Sequence, residues 1–126
     1  MMTYDDSETV CDCHRGQLAL PDSKKHNMEI ALMAPTEGGT YQQIWLGYTD
    51  RKKQSVYLDR YGHYPKYPNW GTGSTGLSLP DNGVFTNFDG VLESQDCVTM
   101  NFRMRSLWDD DWCSILHYGA CQRDRK

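Results

Sequence analysis

Gln95-Asp96-Cys97-Val98-Thr99-Met100-Asn101-Phe102, followed by Trp108-Asp109-Asp110 and then Cys113, is the stretch from which the rest of the chain is best read. Cys97 to Phe102 is rich in apolar, β-branched and aromatic residues, which predicts a strand. It follows the least regular part of the sequence. Between Trp70 and Ser94 lie Gly71, Gly73, Gly76, Gly83 and Gly90, with Pro80 and little periodicity. An irregular segment that long is uncommon in a compact domain unless it binds or catalyses something.

Towards the N-terminus, Ile44-Trp45-Leu46-Gly47-Tyr48 and Ser55-Val56-Tyr57-Leu58 also read as strands. Thr3 with Asp6 three residues on is an N-cap signal, and Tyr4 to Arg15 reads as a helix ending at Gly16. Gln17-Leu18-Ala19-Leu20 is a short apolar run closed by Pro21. Asp22 or Ser23 caps a second helix reaching about Ala34, where Pro35 stops it. In that helix Met28, Ile30, Leu32 and Met33 form a moderately helical apolar pattern, whose methionines are expected to fill the core. Beyond Cys113, Ser114 to Gln122 is expected to supply a further strand. Two helices followed by short strands around a long loop make the fold class α+β.

The bulk properties narrow the function. A chain of 126 residues has room for one domain and one core. Only 38% of it is hydrophobic, yet four Trp, eight Tyr and three Phe weigh against disorder. A net charge of −4 without a basic stripe argues against nucleic acid as a partner. Lys24-Lys25 and Arg51 to Lys53 read as solvated faces. No apolar run approaches the roughly 20 residues needed to span a bilayer. Met1-Met2 leads at once to Tyr4-Asp5-Asp6 without an apolar leader, as in a mature or trimmed form. Five cysteines point to an oxidising compartment. Spacing allows three pairings for any four of them. Zinc at Cys11, Cys13 and His14 is disfavoured because the cluster lacks a second half.

Taken in order, several landmarks resemble the C-type lectin-like domain family. Thr3 to Cys11 is similar to its first helix and first structural cysteine, and Gly16-Gln17-Leu18-Ala19-Leu20-Pro21 to its Gly-x-Leu-Ala-x-Pro turn. Trp45-Leu46-Gly47 matches its Trp-Ile-Gly core strand, and Asn69-Trp70 opens its long loop. Gln95-Asp96-Cys97-Val98, Trp108-Asp109-Asp110, Cys113 and Cys121 complete the set. The resemblance covers about residues 3–122 and implies one such domain over residues 1–126. It also implies disulfides Cys11–Cys121 and Cys97–Cys113. On a helix Cys13 lies about 200° around the axis from Cys11 and should face outward; it is then either the link of a homodimer or a free, buried thiol. Members usually begin with a strand that pairs near the C-terminus. Here the chain starts almost at the helix, so either that strand was removed or the terminal strand after Cys113 has a bare edge.

The resemblance implies a carbohydrate-binding lectin of innate-recognition type, secreted or extracellular, that uses calcium. Such lectins bridge protein and sugar through Ca2+, held by a Glu-Pro-Asn or Gln-Pro-Asp triplet, a Glu before Asp-Cys, and Trp-Asn-Asp. The matching residues here are Leu79-Pro80-Asp81, Gln95, Asp109 and Asp110. Leu79 offers no side-chain oxygen, but Asp81, Asp109 and Asp110 retain three carboxylates and Gln95 a neutral oxygen. These four residues are the candidate metal ligands and sugar contacts, with Pro80 expected to be cis. The turn-forming neighbours Pro80, Asn82 and Gly83 equally suit a plain turn at Asp81, and Asp109 and Asp110 a capped one. Asp50, Gln54, Asn82 and Asp96 mark a second calcium position expected to be empty. Phe85 and Trp112 are candidate stacking platforms for a sugar face, with Phe88 also in the loop.

The alternative is a calcium-independent domain that binds a protein partner or a bacterial cell-wall glycan. Catalysis is not expected. His14, His26, His63 and His117 are scattered, with no nucleophile recognisably paired to them. Gly71-Thr72-Gly73-Ser74-Thr75-Gly76 lacks the Gly-Lys-Ser/Thr ending of a phosphate loop.

Overall fold

The computed structural model describes residues 1–34, 36–37, 40–53, 56–70, 84–86, 92–94, 96–101 and 107–123. Its first helix, α1, runs Tyr4–Cys13, with the Thr3 side chain accepting a hydrogen bond from the Asp6 amide at 3.2 Å. Tyr4, Ser7 and Cys11 form its buried face, and Cys13 is exposed. The helix stops two residues before the expected Arg15. Arg15, not Gly16, takes the left-handed turn, at φ 59°. Gly16 instead begins strand β1 (Gly16–Leu18), where a Cβ would collide with the Gln122 carbonyl. That close approach is what demands glycine there.

The second helix, α2 (Lys24–Ala31), is capped by Ser23, whose hydroxyl accepts from the His26 amide at 3.1 Å. It ends before Ala34, the expected limit. Its buried residues are Asn27, Ile30 and Ala31, with Ala34 just beyond. Met28, Leu32 and Met33 do not fill the core; they are 48%, 73% and 62% exposed. The inward stripe lies one position away because polar Asn27 occupies it, accepting a buried hydrogen bond from Trp108 Nε1 at 2.9 Å.

Short strands β2 (Thr36–Glu37) and β3 (Thr40–Tyr41) pair with each other. Strand β4 (Ile44–Thr49) then enters the centre of the molecule. Outside the main sheet, β5 (Val84–Thr86) pairs with β6 (Leu92–Ser94). Strands β7 (Cys97–Asn101), β8 (Leu107–Asp111) and β9 (Tyr118–Gly119) complete a four-stranded sheet of order β8-β7-β4-β9. The β4–β9 pair is parallel and the other two pairs antiparallel. The last strand, β10 (Cys121–Arg123), leaves that sheet to pair with β1. The expected C-terminal strand is therefore split at Ala120, whose carbonyl accepts from the Ala19 amide at 2.8 Å.

Alternation along β4 feeds two cores, as a period of two requires. Ile44, Leu46 and Tyr48 join α2, Val98 and Trp108 on one side. Trp45 joins Tyr4, Leu18, Cys11, Cys97 and Cys113 on the other. Disulfides Cys11–Cys121 and Cys97–Cys113 tie these layers together. Gly47 lets the β1 segment cross close by. An added Cβ would lie 2.7 Å from Leu20 Cδ2 and 2.8 Å from the Leu18 carbonyl oxygen.

Two further expectations change. Residues 56–58 form no strand; Leu58 makes a single two-hydrogen-bond bridge to Thr49. Ser55 lies outside the described residues. The edge expected to be bare is also partly covered. Met2 exchanges two backbone hydrogen bonds with His117, at 2.8 and 2.9 Å, and its carbonyl accepts from Trp45 Nε1 at 3.0 Å.

Candidate ligand-binding site

Strand β8 positions the acidic cluster. It lies at one edge of the four-stranded sheet, with Asp111, Asp110 and Asp109 facing Cys97, Val98 and Thr99 of β7. Consecutive strand residues leave opposite faces. Trp108 and Asp110 accordingly turn inward, whereas Asp109 and Asp111 are half-buried on the other face. Asp110 is only 1% exposed. One ion reaching both Asp109 and Asp110 must therefore sit over the strand edge, not over either face.

Trp108 fixes the strand beside this cluster. It stacks on Tyr48 at 5.4 Å and meets Trp70 edge-on at 5.6 Å, while its amide bonds to the Asn69 carbonyl at 2.7 Å. The start of the long loop is thus anchored against β8. Trp108 and Trp45 are wholly buried and act through packing; Trp70 packs against the core from a half-buried position. Asp81, Gln95 and Pro80 lie outside the described residues, as do Gln54, Asn82 and Phe88. Phe85 stands in β5 opposite Glu93. Trp112 is half-buried just past β8, its amide donating to Asp111 Oδ1 at 2.8 Å.

At the second expected metal position, the Asp50 amide bonds to the Asp96 carbonyl at 3.1 Å. The Asp50 side chain is buried and Asp96 half-buried. Among the described residues no group of three or more His, Cys, Asp and Glu side chains converges as metal ligands would. Of the tyrosines between β4 and the long loop, Tyr57 is buried, Tyr67 half-buried, and Tyr61 and Tyr64 exposed.

Sequence reading missed two polar arrangements. His117 Nε2 lies 2.7 Å from Asp111 Oδ2 while the imidazole packs edge-on against Trp45 at 4.8 Å. Nothing in the spacing of Asp111 and His117 signals that pair, because it depends on how the chain returns after Cys113. Arg51 was read as part of a solvated face, but it makes a two-pronged ion pair with Asp5 at 2.6 and 3.0 Å. The Arg51 hydrogen bond holds the Asp5 carboxyl below its usual range, and the pair raises the guanidinium in turn. Tyr4, beneath Arg51, is pushed well above the usual phenol value by burial first and by Glu8 second.

The profile of the Lectin C-type domain family matches residues 1–123. Tetranectin of Bos taurus is 24% identical over 120 residues, covering 95% of this chain and 54% of the relative. Tetranectin of Mus musculus is 25% identical with the same coverage. The chain thus spans about half the length of these curated relatives. Among solved structures, the mouse scavenger receptor C-type lectin carbohydrate-recognition domain is similar at TM-score 0.73 and 22% identity, covering 99% of this chain and 83% of that one. A calcium-independent type II antifreeze protein is similar at TM-score 0.68 and 22% identity, covering 95% and 77%. At those identities the two structures speak for the fold.

Proposed function

The chain belongs to the Lectin C-type domain family, and from that premise we propose that residues 1–126 form one carbohydrate-binding domain whose ligand is reached through calcium at the β8 edge. The family is a binding fold and not a catalytic one. The observation that carries the calcium reading is Asp110, a carboxylate 1% exposed at a sheet edge beside half-buried Asp109. Calcium takes about six to eight hard oxygens, and carboxylates are its usual protein donors. Asp109 and Asp110 fit that chemistry, and Asp81 and Gln95 are the residues assigned to complete the set. The ion would supply coordination of sugar hydroxyls, while Phe85 and Trp112 offer ring faces to the sugar's apolar side.

Two disulfides support an extracellular setting, and the role in innate recognition rests on the family resemblance alone. No helix among the described residues is long and apolar enough to cross a membrane. Leu79, in place of an acid or amide, and the opposite directions of Asp109 and Asp110 favour a second reading. In it the domain works without calcium on a protein partner or a bacterial cell-wall glycan.

Thermal unfolding in calcium and in chelator separates the two. Calcium at about 100 times its dissociation constant should stabilise the domain by about 2.7 kcal/mol. Coincident melts in the two buffers rule out the calcium reading and leave the second.

A further inference from the structure

The corner where α1 ends and β10 begins gathers Arg15, Arg123 and the His14 imidazole. A shallow cavity of about 430 Å³ there is lined by His14, Arg15, Gly16, Cys121, Gln122 and Arg123. His14, Arg15 and Arg123 are exposed and make no ion pair among the described residues. The nearby carboxylate of Asp12 is taken by Arg60 at 2.5 Å. Asp124 follows Arg123 outside the described residues.

The two sides of the cavity are locked together. Cys11 is bonded to Cys121, with Cα atoms 5.4 Å apart, and Gly16 stands in register with Arg123. Arg15, one residue before Gly16, is therefore held near Arg123, and like charges placed so close repel. The backbone at Arg15 adds strain: φ is 59°, a conformation suited to glycine or asparagine. The last turn of a helix does favour cations. That accounts for one or two charges near α1, but not for Arg123 arriving from the other end of the chain.

We propose that this corner is a second, metal-independent binding site for an anionic oligosaccharide, with its sulfate or carboxylate groups held by Arg15, Arg123 and His14. Guanidinium groups bind such oxyanions through paired hydrogen bonds. The two guanidinium groups and the imidazole come from two separate chain segments, so successive anionic groups on one chain meet them better than a lone ion does. Apart from the His14 imidazole no aromatic or aliphatic side chain lines the cavity, so a peptide finds no anchor pocket there. Fixed spacing lowers the ordering cost of binding. The net charge of −4 opposes a polyanion only weakly, because salt screens it beyond about 8 Å at physiological strength. The site lies at the α1–β10 corner and does not depend on calcium at β8.

The test is calorimetric titration of the full chain, in chelator, with a heparin-derived hexasaccharide and its desulfated counterpart. Inorganic sulfate and a single-stranded oligonucleotide serve as further probes. Binding of the sulfated hexasaccharide, weakening as salt rises, is expected for the parent chain and for Asp110→Asn. Retained binding by the desulfated, still carboxylated form assigns the contacts to carboxylate; its loss assigns them to sulfate. Arg15→Gly and Arg123→Ala should each weaken the hexasaccharide by about tenfold or more. Arg15→Gly should also melt above the parent, since glycine relieves the left-handed turn and the repulsion together. Unchanged affinity in both variants, or no hexasaccharide binding, overturns the site. So does oligonucleotide binding of equal strength, a response to inorganic sulfate alone, or a lower melting point for Arg15→Gly.

Discussion

Gly47 shows how one residue carries the fold. Its backbone amide donates to the Ala19 carbonyl at 2.9 Å, and β1 passes too close for any side chain. Gly47→Ala should therefore destabilise by about 1–3 kcal/mol through overpacking, read from denaturant unfolding. Asp110 is the corresponding residue of the proposed metal site. Asp110→Asn should lower calcium affinity by on the order of tenfold or more, because the ion loses a charged oxygen donor. Asp96→Asn should do much less, since Asp96 belongs with Asp50 to the second position. Equal losses in a calcium titration would show the ligand set to be wrong. At this scale the sequence was readable where the residue type itself is diagnostic, as with the Thr3 cap. It was not readable at Arg15, where an ordinary side chain adopts a left-handed turn that glycine was expected to make.

α2 illustrates how an element can be correctly placed yet turned the wrong way. Its cap and approximate span follow from Ser23 and the helix-forming residues after it. Its orientation does not follow from apolar spacing. The buried positions 27, 30, 31 and 34 recur at helical intervals, but the first is Asn and two are Ala, which give a weak apolar signal. Met28, Leu32 and Met33 give a stronger one and point outward. Ile30→Ala should thus cost about 2–4 kcal/mol, whereas Leu32→Gln should change stability by no more than about 0.5 kcal/mol. Comparable losses in chemical denaturation would place Leu32 in the core after all. α1 is simpler: Cys11 and Cys13 differ by about 200° at 3.6 residues per turn. Cys11 is buried in its disulfide, and Cys13 is exposed. The β8 strand shows the converse. Its acidic run was legible as chemistry, but the alternation that sends Asp109 and Asp110 to opposite faces appears only once a strand is seen there.

At the scale of the whole molecule, an exposed thiol on α1 bears on assembly. Two copies joined through Cys13 would present two weak sites at once and gain avidity if both can reach ligand. Non-reducing electrophoresis should show a dimer for the parent chain and only monomer for Cys13→Ser. Monomer in both lanes removes this route to bivalency. The order of caps, turns, strands and cysteines along the chain by itself determined the α+β class and the family resemblance, because each depends on local residue chemistry at fixed spacing. It also placed the cysteines of both disulfides where the resemblance expects them. Only the tertiary structure decided the turn after Cys113 that brings His117 back to Asp111, and what depends on distant segments meeting: which face of α2 is inward, the Arg51–Asp5 pair, and the splitting of the C-terminal strand at Ala120. Met2 at His117 and the cationic corner at Arg15 and Arg123 belong to the same class. Their partners lie far apart in sequence and are brought together by sheet pairing and the Cys11–Cys121 link, so no local pattern announces them.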